Sequence, residues 1–140
     1  MNKLMELPKE KLVEIIEKFY MNLIKEPKYN IYSKAFLTEY LKQTFEIYKR
    51  YKNLKMNILL FKFDCKNIEL IKKNLRKSDL VAKYENAFVI LLFETGEMGT
   101  CKVKNKLEKI LSQKGILINI SLSENIRDII EEIESKIKIY

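Results

Sequence analysis

The chain has 140 residues, of which 47% are hydrophobic, and it carries a formal net charge of +8 at pH 7. This length fits one domain and excludes a large multidomain enzyme within the chain, and the hydrophobic fraction suffices for a packed core. The absence of histidine excludes histidine acid–base catalysis, Ser-His-Asp and Cys-His catalytic centres, and histidine metal ligands.

The first half of the chain predicts two helices followed by a buried strand. Pro8 marks the start of a helix that ends near Lys25, because Pro27 disfavours helical backbone in the residue before it. Its apolar residues recur at helical spacing, at Leu12, Ile15, Ile16, Phe19 and Leu23. Ser33 is a suitable N-cap for a second helix, and the consecutive apolar residues 58–61 predict a strand over 56–63 that is covered on both faces.

The second half predicts a helix over 67–75, strands over 79–84 and 87–93, a helix over 102–113, a strand over 116–122 and a final helix to about residue 138. Glu85-Asn86 forms the turn between the two central strands, Gly96 and Gly99 mark a loop, Gly115 ends a helix, and Ser123 caps the last one. The order βαββαβ predicts an α+β, ferredoxin-like fold, with an antiparallel sheet that carries helices on one face. We therefore divide the chain into an N-terminal signalling or dimerisation helix (1–27) and one domain (28–140).

The charge is unevenly distributed, since residues 28–83 contain fourteen basic and five acidic residues. Cys65 and Cys101 do not form a CxxC pair, so the sequence predicts neither a zinc site nor a metal cofactor, and we expect both thiols to be free in a cytoplasmic protein. No apolar run is long enough to cross a membrane, so we expect no direct membrane insertion.

Four segments, in chain order, resemble the GGDEF family of diguanylate cyclases. Residues 26–37 resemble the family's D-P-L-T-G-L-x-N-R-x-F-L entry motif, and residues 58–64 resemble its first strand, which ends in D-x-D. Residues 76–84 resemble R-x-x-D-x-x-x-R-Y, and residues 85–92 stand where the family has G-G-D-E-F-x-x-L-L. The segments are EPKYNIYSKAFL, ILLFKFD, RKSDLVAKY and ENAFVILL. The resemblance implies the nucleotidyl-cyclase-like form of the predicted fold over residues 26–138.

The chain departs from this family at the positions that the resemblance assigns to catalysis. Lys62 replaces the metal-binding first Asp of D-x-D, and Ala87, next to Phe88, stands nearest to the hairpin carboxylate. The hairpin is one residue shorter and has Glu85-Asn86 in place of Gly-Gly. The segment between Lys62 and Arg76 is too short for the family's guanine-binding stretch. Because cyclisation of two GTP molecules needs a carboxylate-bound divalent metal, the sequence predicts that the chain is not an enzyme.

Arg76 and Asp79 match the family's R-x-x-D inhibitory site, which the resemblance associates with binding of cyclic di-GMP. An arginine can form paired bonds with phosphate or guanine, and a carboxylate can accept from guanine N–H groups. The alternative is structural: Asp79 begins a strand and caps the preceding turn, and Arg76 is a basic residue at a helix end. The sequence leaves both alternatives open.

Three functions follow from these observations. The favoured one is a catalytically inactive regulatory module that contacts a protein partner or a second copy of itself through the stripe of residues 12–23. The second is a cyclic di-GMP receptor that depends on Arg76 and Asp79. The third and least favoured is a nucleic-acid binder, in which cations and aromatic residues alternate over residues 48–55 in the basic middle of the chain.

Overall fold

The computed structural model describes Lys11, Val13, Tyr29 and residues 31–50, 55–93, 95–120 and 125–140, apart from the side chains of Tyr48 and Lys49. The predicted N-terminal helix therefore lies almost entirely outside the described residues. The described elements follow the α+β order predicted from the sequence. They are α1 (Lys34–Arg50), β1 (Met56–Lys62), a 3-10 turn (Cys65–Asn67), α2 (Ile68–Lys73), β2 (Leu80–Tyr84), β3 (Ala87–Phe93), α3 (Glu97–Leu111), β4 (Ile116–Asn119) and α4 (Ile126–Ile137).

The four strands form an antiparallel sheet in the order β2-β3-β1-β4. This is the order that a ferredoxin-like βαββαβ unit produces, because each crossover helix joins two strands that are not neighbours. The central strands β1 and β3 are buried along nearly their whole length, as their consecutive apolar residues predict. Their register places Lys62, the last residue of β1, directly opposite Ala87, the first residue of β3.

Helices cover both faces of the sheet, so the prediction of helices on one face was wrong. Ile58 and Leu60 of β1 pack with buried residues of α1 and α4, whereas Leu59 and Phe61 pack with buried residues of α2 and α3. The crossover helices α2 and α3 account for one face. The other face is covered by α1 and α4, which flank the βαββαβ unit in the chain, and only their long-range packing reveals this.

The segment before α1 pairs with the outer edge of β2. The Tyr32 N–H donates to the Val81 carbonyl at 3.3 Å, and the Lys83 N–H donates to the Tyr32 carbonyl at 3.0 Å. The Ser33 hydroxyl then accepts from the Phe36 N–H at 3.1 Å, which confirms the predicted N-cap. The first described residues of the domain thus protect the edge of β2.

Three predicted boundaries differ from the structure. Helix α3 begins at Glu97, so Gly99 lies inside the helix rather than in a loop, and the buried Thr100 anchors the first turn by donating to the Gly96 carbonyl at 2.8 Å. The left-handed residue after α3 is Ser112, with φ of 54°, rather than Gly115. Asn125 caps α4 by accepting from the Asp128 N–H at 3.0 Å, whereas Ser123 lies outside the described residues.

Within the described part of the chain, no helix combines the length and the hydrophobicity needed to cross a bilayer.

Candidate functional site at the β2–β3 hairpin

The hairpin end of the sheet brings together the two positions that the sequence comparison assigned to metal binding. Tyr84, Ala87 and Lys62 form one row across β2, β3 and β1. Ala87 is fully buried, and Lys62 is exposed. The row therefore presents a methyl group and an ammonium group at the two positions that the sequence resemblance assigns to metal-binding carboxylates.

The backbone of Lys62 is held in place beyond the first residue of β4, Ile116, which pairs with Leu60. The Lys62 N–H donates to Gln113 Oε1 at 3.1 Å, and its carbonyl accepts from Gln113 Nε2 at 3.4 Å. The side-chain amide thus replaces a neighbouring strand, because it offers one donor and one acceptor as a peptide group does. This pair of bonds extends the ordered sheet as far as Lys62.

The turn of the hairpin is stabilised by two lysines. Glu85 has φ of 53°, in the left-handed region that favours glycine, and glycine is the residue that the family motif has in this turn. Lys34 Nζ lies 2.5 Å from Glu85 Oε1, and Lys83 Nζ donates to the Glu85 carbonyl at 2.8 Å. The hydrogen bond from Lys34 lowers the pKa of the Glu85 carboxyl below its usual value.

The nearby carboxylate of Asp64 also has a local role. Asp64 Oδ1 accepts from the Lys66 N–H at 3.0 Å and so caps the 3-10 turn that follows β1. Among the residues that the structure describes, no group of three or more His, Cys, Asp or Glu side chains lies close enough together to hold a metal ion. Asp64 and Glu85 therefore each bind another group of the chain.

Aromatic rings lie on both sides of the hairpin, and of these only Phe88 is among the hairpin residues that the sequence analysis selected. On the α2/α3 face, the Phe63 ring packs 4.9 Å from both Tyr29 and Phe88, and Lys83 Nζ lies 5.1 Å from its centre. On the α1/α4 face, the Tyr84 hydroxyl donates to Glu134 Oε1 at 2.6 Å. Burial, reinforced by this bond to Glu134, raises the pKa of Tyr84. These contacts form through tertiary packing between residues that are distant in the chain. The sequence signals only that side chains along a strand point alternately to its two faces, which does not identify the partners of Tyr84 and Phe63.

Arg76 and Asp79 lie at the opposite end of β2 and form a clamp between the turn before β2 and the end of β3. Asp79 Oδ2 accepts from the Arg76 N–H at 3.0 Å and from Nε at 3.4 Å, and Oδ1 accepts from Nη2 and from the Phe93 N–H, each at 3.4 Å. Arg76 Nη2 also donates to the Phe93 carbonyl at 2.7 Å and to Thr95 Oγ1 at 2.5 Å. The side chain of Asp79 is only 4% exposed, whereas that of Arg76 is 58% exposed. Arg76 and Thr95 border a pocket of about 380 Å³ beside the start of α3.

Two predicted contact regions fall largely outside the described residues. The proposed interaction stripe at Leu12, Ile15, Ile16, Phe19 and Leu23 lies wholly outside them. In the 48–55 region, the structure describes the side chains of Arg50 and Lys55 alone, and both residues are exposed. Both regions therefore stay predictions.

Comparison with known proteins supports the fold and goes no further. No family model matches the chain, and no curated protein matches it. Among solved structures, it is similar to the diguanylate cyclase SiaD from Pseudomonas aeruginosa in complex with its activator SiaC, with a TM-score of 0.56, 13% identity and coverage of 79% of this chain and 54% of SiaD. It is also similar to an S helix-GGDEF-EAL structure of Vibrio cholerae LapD bound to c-di-GMP, with a TM-score of 0.59, 9% identity and coverage of 79% of this chain and 31% of that one.

The fold is therefore GGDEF-like, and the chain spans about half of one of these proteins and less than a third of the other.

Proposed function

We propose that the chain is a GGDEF-like signalling domain that lacks cyclase activity and acts by contacting a protein partner or a second copy of itself. The observation that carries this proposal is the pairing of Lys62 with Ala87 in the register of β1 and β3. The resemblance assigns these two positions to the metal site of an active domain.

The chemistry at this pair opposes metal-dependent phosphoryl transfer. A divalent cation there would face the Lys62 ammonium instead of a carboxylate, and the methyl group of Ala87 offers no ligand. The remaining carboxylates, Asp64 and Glu85, are held by a backbone N–H and by Lys34. Without the metal, charge on a transferring phosphate is not neutralised.

The activity test is incubation of the purified chain with GTP and either Mg²⁺ or Mn²⁺, with product separated by liquid chromatography and an active diguanylate cyclase run in parallel. We expect no cyclic di-GMP from the chain. The matched variant Lys62→Asp, at an exposed position, is expected to bind Mn²⁺ several-fold more tightly than the wild type, as measured by electron paramagnetic resonance. Metal-dependent product from the wild-type chain would refute the proposal.

Cyclic di-GMP binding is the second candidate, because the Arg76 guanidinium is exposed at the edge of a pocket. Against it, the Asp79 carboxylate is buried and saturated by Arg76 and the Phe93 N–H, so it would have to leave the clamp to accept from guanine. Calorimetric titration with cyclic di-GMP separates the two candidates. Micromolar binding that is lost in Arg76→Ala and kept in the neighbouring Lys77→Ala would establish the receptor, and the absence of heat would favour the structural clamp.

Self-association is tested by sedimentation velocity of the whole chain. If the stripe of residues 12–23 is exposed, the chain should dimerise, and Phe19→Glu with Leu23→Glu should convert it to a monomer. The polar replacement Lys18→Gln in the same segment serves as the control. A wild-type chain that stays monomeric at high micromolar concentration would leave a heterologous protein as the remaining partner.

A further inference from the structure

The outer face of α3 is a row of lysines without carboxylates. Lys102, Lys106 and Lys109 follow one another at spacings of four and three residues, so they lie on one face of the helix, and all three are exposed. Glu108 lies on the flank, where it is 3.7 Å from Lys104 and accepts from the Gly115 N–H at 2.9 Å. The nearest acidic group along the helix is therefore engaged elsewhere, and the three ammonium groups face solvent.

The basic row belongs to a layer whose charge differs from that of the opposite layer. Over residues 64–79 and 96–115, which form the α2/α3 layer, eight basic residues and three acidic residues are exposed. Over residues 33–50 and 125–140, which form the α1/α4 layer, five basic and five acidic residues are exposed, with the side chain of Lys49 left out because it is not described. The exposed basic residues of the α2/α3 layer are Lys66, Lys73, Arg76, Lys77, Lys102, Lys106, Lys109 and Lys114, and the acidic ones are Asp64, Glu69 and Glu97.

The tertiary structure brings α2 and α3 together in this surface, although the two helices lie in different segments when charge is counted along the sequence. Residues 84–140 carry eight basic and nine acidic residues, so α3 appears unremarkable in a charge count of that half. Four of these nine acidic residues belong to α4, which lies on the opposite face of the sheet, and only Glu97 and Glu108 belong to α3. The sheet thus separates a basic side of the molecule from a neutral one.

We propose that the α2/α3 layer binds the phosphate backbone of double-stranded nucleic acid. A duplex presents one phosphate charge for about every 1.7 Å of its axis, and the rise of about 1.5 Å per residue gives the row from Lys102 to Lys109 a length of about 10 Å. An axial length of about 10 Å carries about six phosphates, of which about three belong to each strand, so the three lysines match the phosphates of one strand. This inference does not depend on Lys62, Ala87 or the cyclase comparison.

Polar side chains beside the row suit phosphate contacts. Asn105 and Ser112, both exposed, line a pocket of about 540 Å³. The other lining residues are Gln113, Lys109, Lys114 and Glu108. The Glu108 carboxylate lies 3.7 Å from Lys104 and accepts from the Gly115 N–H. Amide and hydroxyl groups between cations donate hydrogen bonds to phosphate oxygens and fix the position of a protein on a duplex. The lysines attract the duplex electrostatically, and these neutral groups fix its position on the surface.

The composition of the layer favours a duplex over a single strand or a lipid surface. Neither α2 nor α3 contains an aromatic residue, and single-strand binding relies on stacking of bases on aromatic rings. A membrane surface calls for an apolar face beside the cations. Here Leu107 and Leu111 point into the core, and the exposed large apolar side chains of the layer are limited to Leu70 and Met98.

The test is fluorescence anisotropy of a labelled 20-base-pair duplex, as DNA and as RNA, titrated with the whole chain at several salt concentrations. We expect low-micromolar affinity at 50 mM salt and a steep loss with added salt. The triple variant Lys102→Gln, Lys106→Gln, Lys109→Gln should weaken binding about tenfold or more, and should reduce the slope of log affinity against log salt by about 2–3, since each phosphate contact contributes about 0.9.

The matched control removes the same charge from the α1/α4 layer, as Lys42→Gln, Arg127→Gln, Lys138→Gln, and should change affinity less than twofold. Circular dichroism of both triple variants checks that they are folded, which their exposed positions favour. Equal losses in the two variants would mean that only net charge matters and would overturn the proposal. Tighter binding to vesicles containing phosphatidylserine, or to the unpaired strand, would overturn it as well, as would no binding at 50 mM salt.

Discussion

At the scale of single residues, the Arg76–Asp79 pair has a structural role that its sequence motif does not reveal. As a sequence, R-x-x-D suits a guanine and a phosphate. In the folded chain, Asp79 directs both carboxylate oxygens inward, to the guanidinium and backbone of Arg76 and to the Phe93 N–H. The pair joins the turn before β2 to the end of β3, and this contact is itself a sufficient reason for both residue types.

Replacing Asp79 by asparagine tests the structural role. The amide would turn one acceptor into a donor facing the Phe93 N–H or the guanidinium, and it would remove the charge that Arg76 contacts. We expect a loss of about 1–3 kcal/mol in the free energy of unfolding. The loss should be near the lower value, because Arg76 is more than half exposed and solvent screens its charge. Urea denaturation followed by circular dichroism measures it. The control is Asp128→Asn, which removes the same charge at an exposed position and should lower the free energy of unfolding far less. Equal losses for the two variants would argue against a clamp.

At the scale of elements, the connection from α3 to β4 depends on a close approach to the sheet. Gly115 precedes β4 and lies over Phe61, which is fully buried in β1. A Cβ at position 115 would come within 2.6 Å of the Phe61 ring. The sequence analysis correctly marked Gly115 as the end of this region but assigned it to a helix cap, whereas Ser112 adopts the left-handed conformation there.

Gly115→Ala should therefore destabilise the domain by about 1–3 kcal/mol, because the Phe61 ring is enclosed and cannot move aside freely. Gly96→Ala is the control, since its Cβ would meet only the flexible Lys55 side chain at 3.4 Å. Thermal denaturation of the two variants measures the difference. A melting temperature for Gly115→Ala equal to that of Gly96→Ala would show that the α3–β4 connection adapts.

At the scale of the whole molecule, two phenol groups attach the α4 end of the chain to the sheet. The Tyr84 hydroxyl donates to Glu134 of α4, and the Tyr140 hydroxyl, just after α4, donates to the Leu60 carbonyl of β1 at 3.1 Å. Burial raises the pKa of both tyrosines, with a further contribution from Glu134 at Tyr84 and from the charge of Glu108 at Tyr140. Both phenols are therefore more readily kept protonated in the folded chain than in the unfolded chain.

These pKa shifts predict a loss of stability at high pH. Because the folded pKa lies above the unfolded value of about 10, the stabilisation is complete below pH 10 and declines as the pH rises beyond it. Between pH 8 and about pH 12, Tyr84→Phe should lower the melting temperature at the low end, through the lost bond to Glu134, and should make the decline above about pH 10 shallower. Thermal denaturation across this range measures both effects, and parallel curves for variant and wild type would contradict the assignment to Tyr84.

Prediction from sequence succeeded where the signal is local. The Ser33 cap, the strands around residues 58–61 and 87–93, and the short turn at Glu85 follow from side-chain type and apolar periodicity over a few residues. It failed at Gly99, because a helix start with a glycine cap and a buried Thr100 has no clear sequence signal. The contact of Tyr84 with Glu134 joins residues fifty positions apart and has no local signal at all.

The sequence by itself determined the α+β order of elements, because apolar spacing and capping residues specify helices and strands within a few turns. It also determined that histidine chemistry is missing, since the chain contains no histidine. That Lys62 stands in place of a metal-binding aspartate stays a prediction from the resemblance. Only the tertiary structure decided that Lys62 faces Ala87, that helices cover both faces, and that the lysines of α2 and α3 form one basic side. Strand register and layer packing are set by contacts between distant segments, and these contacts exist only when the whole chain is folded.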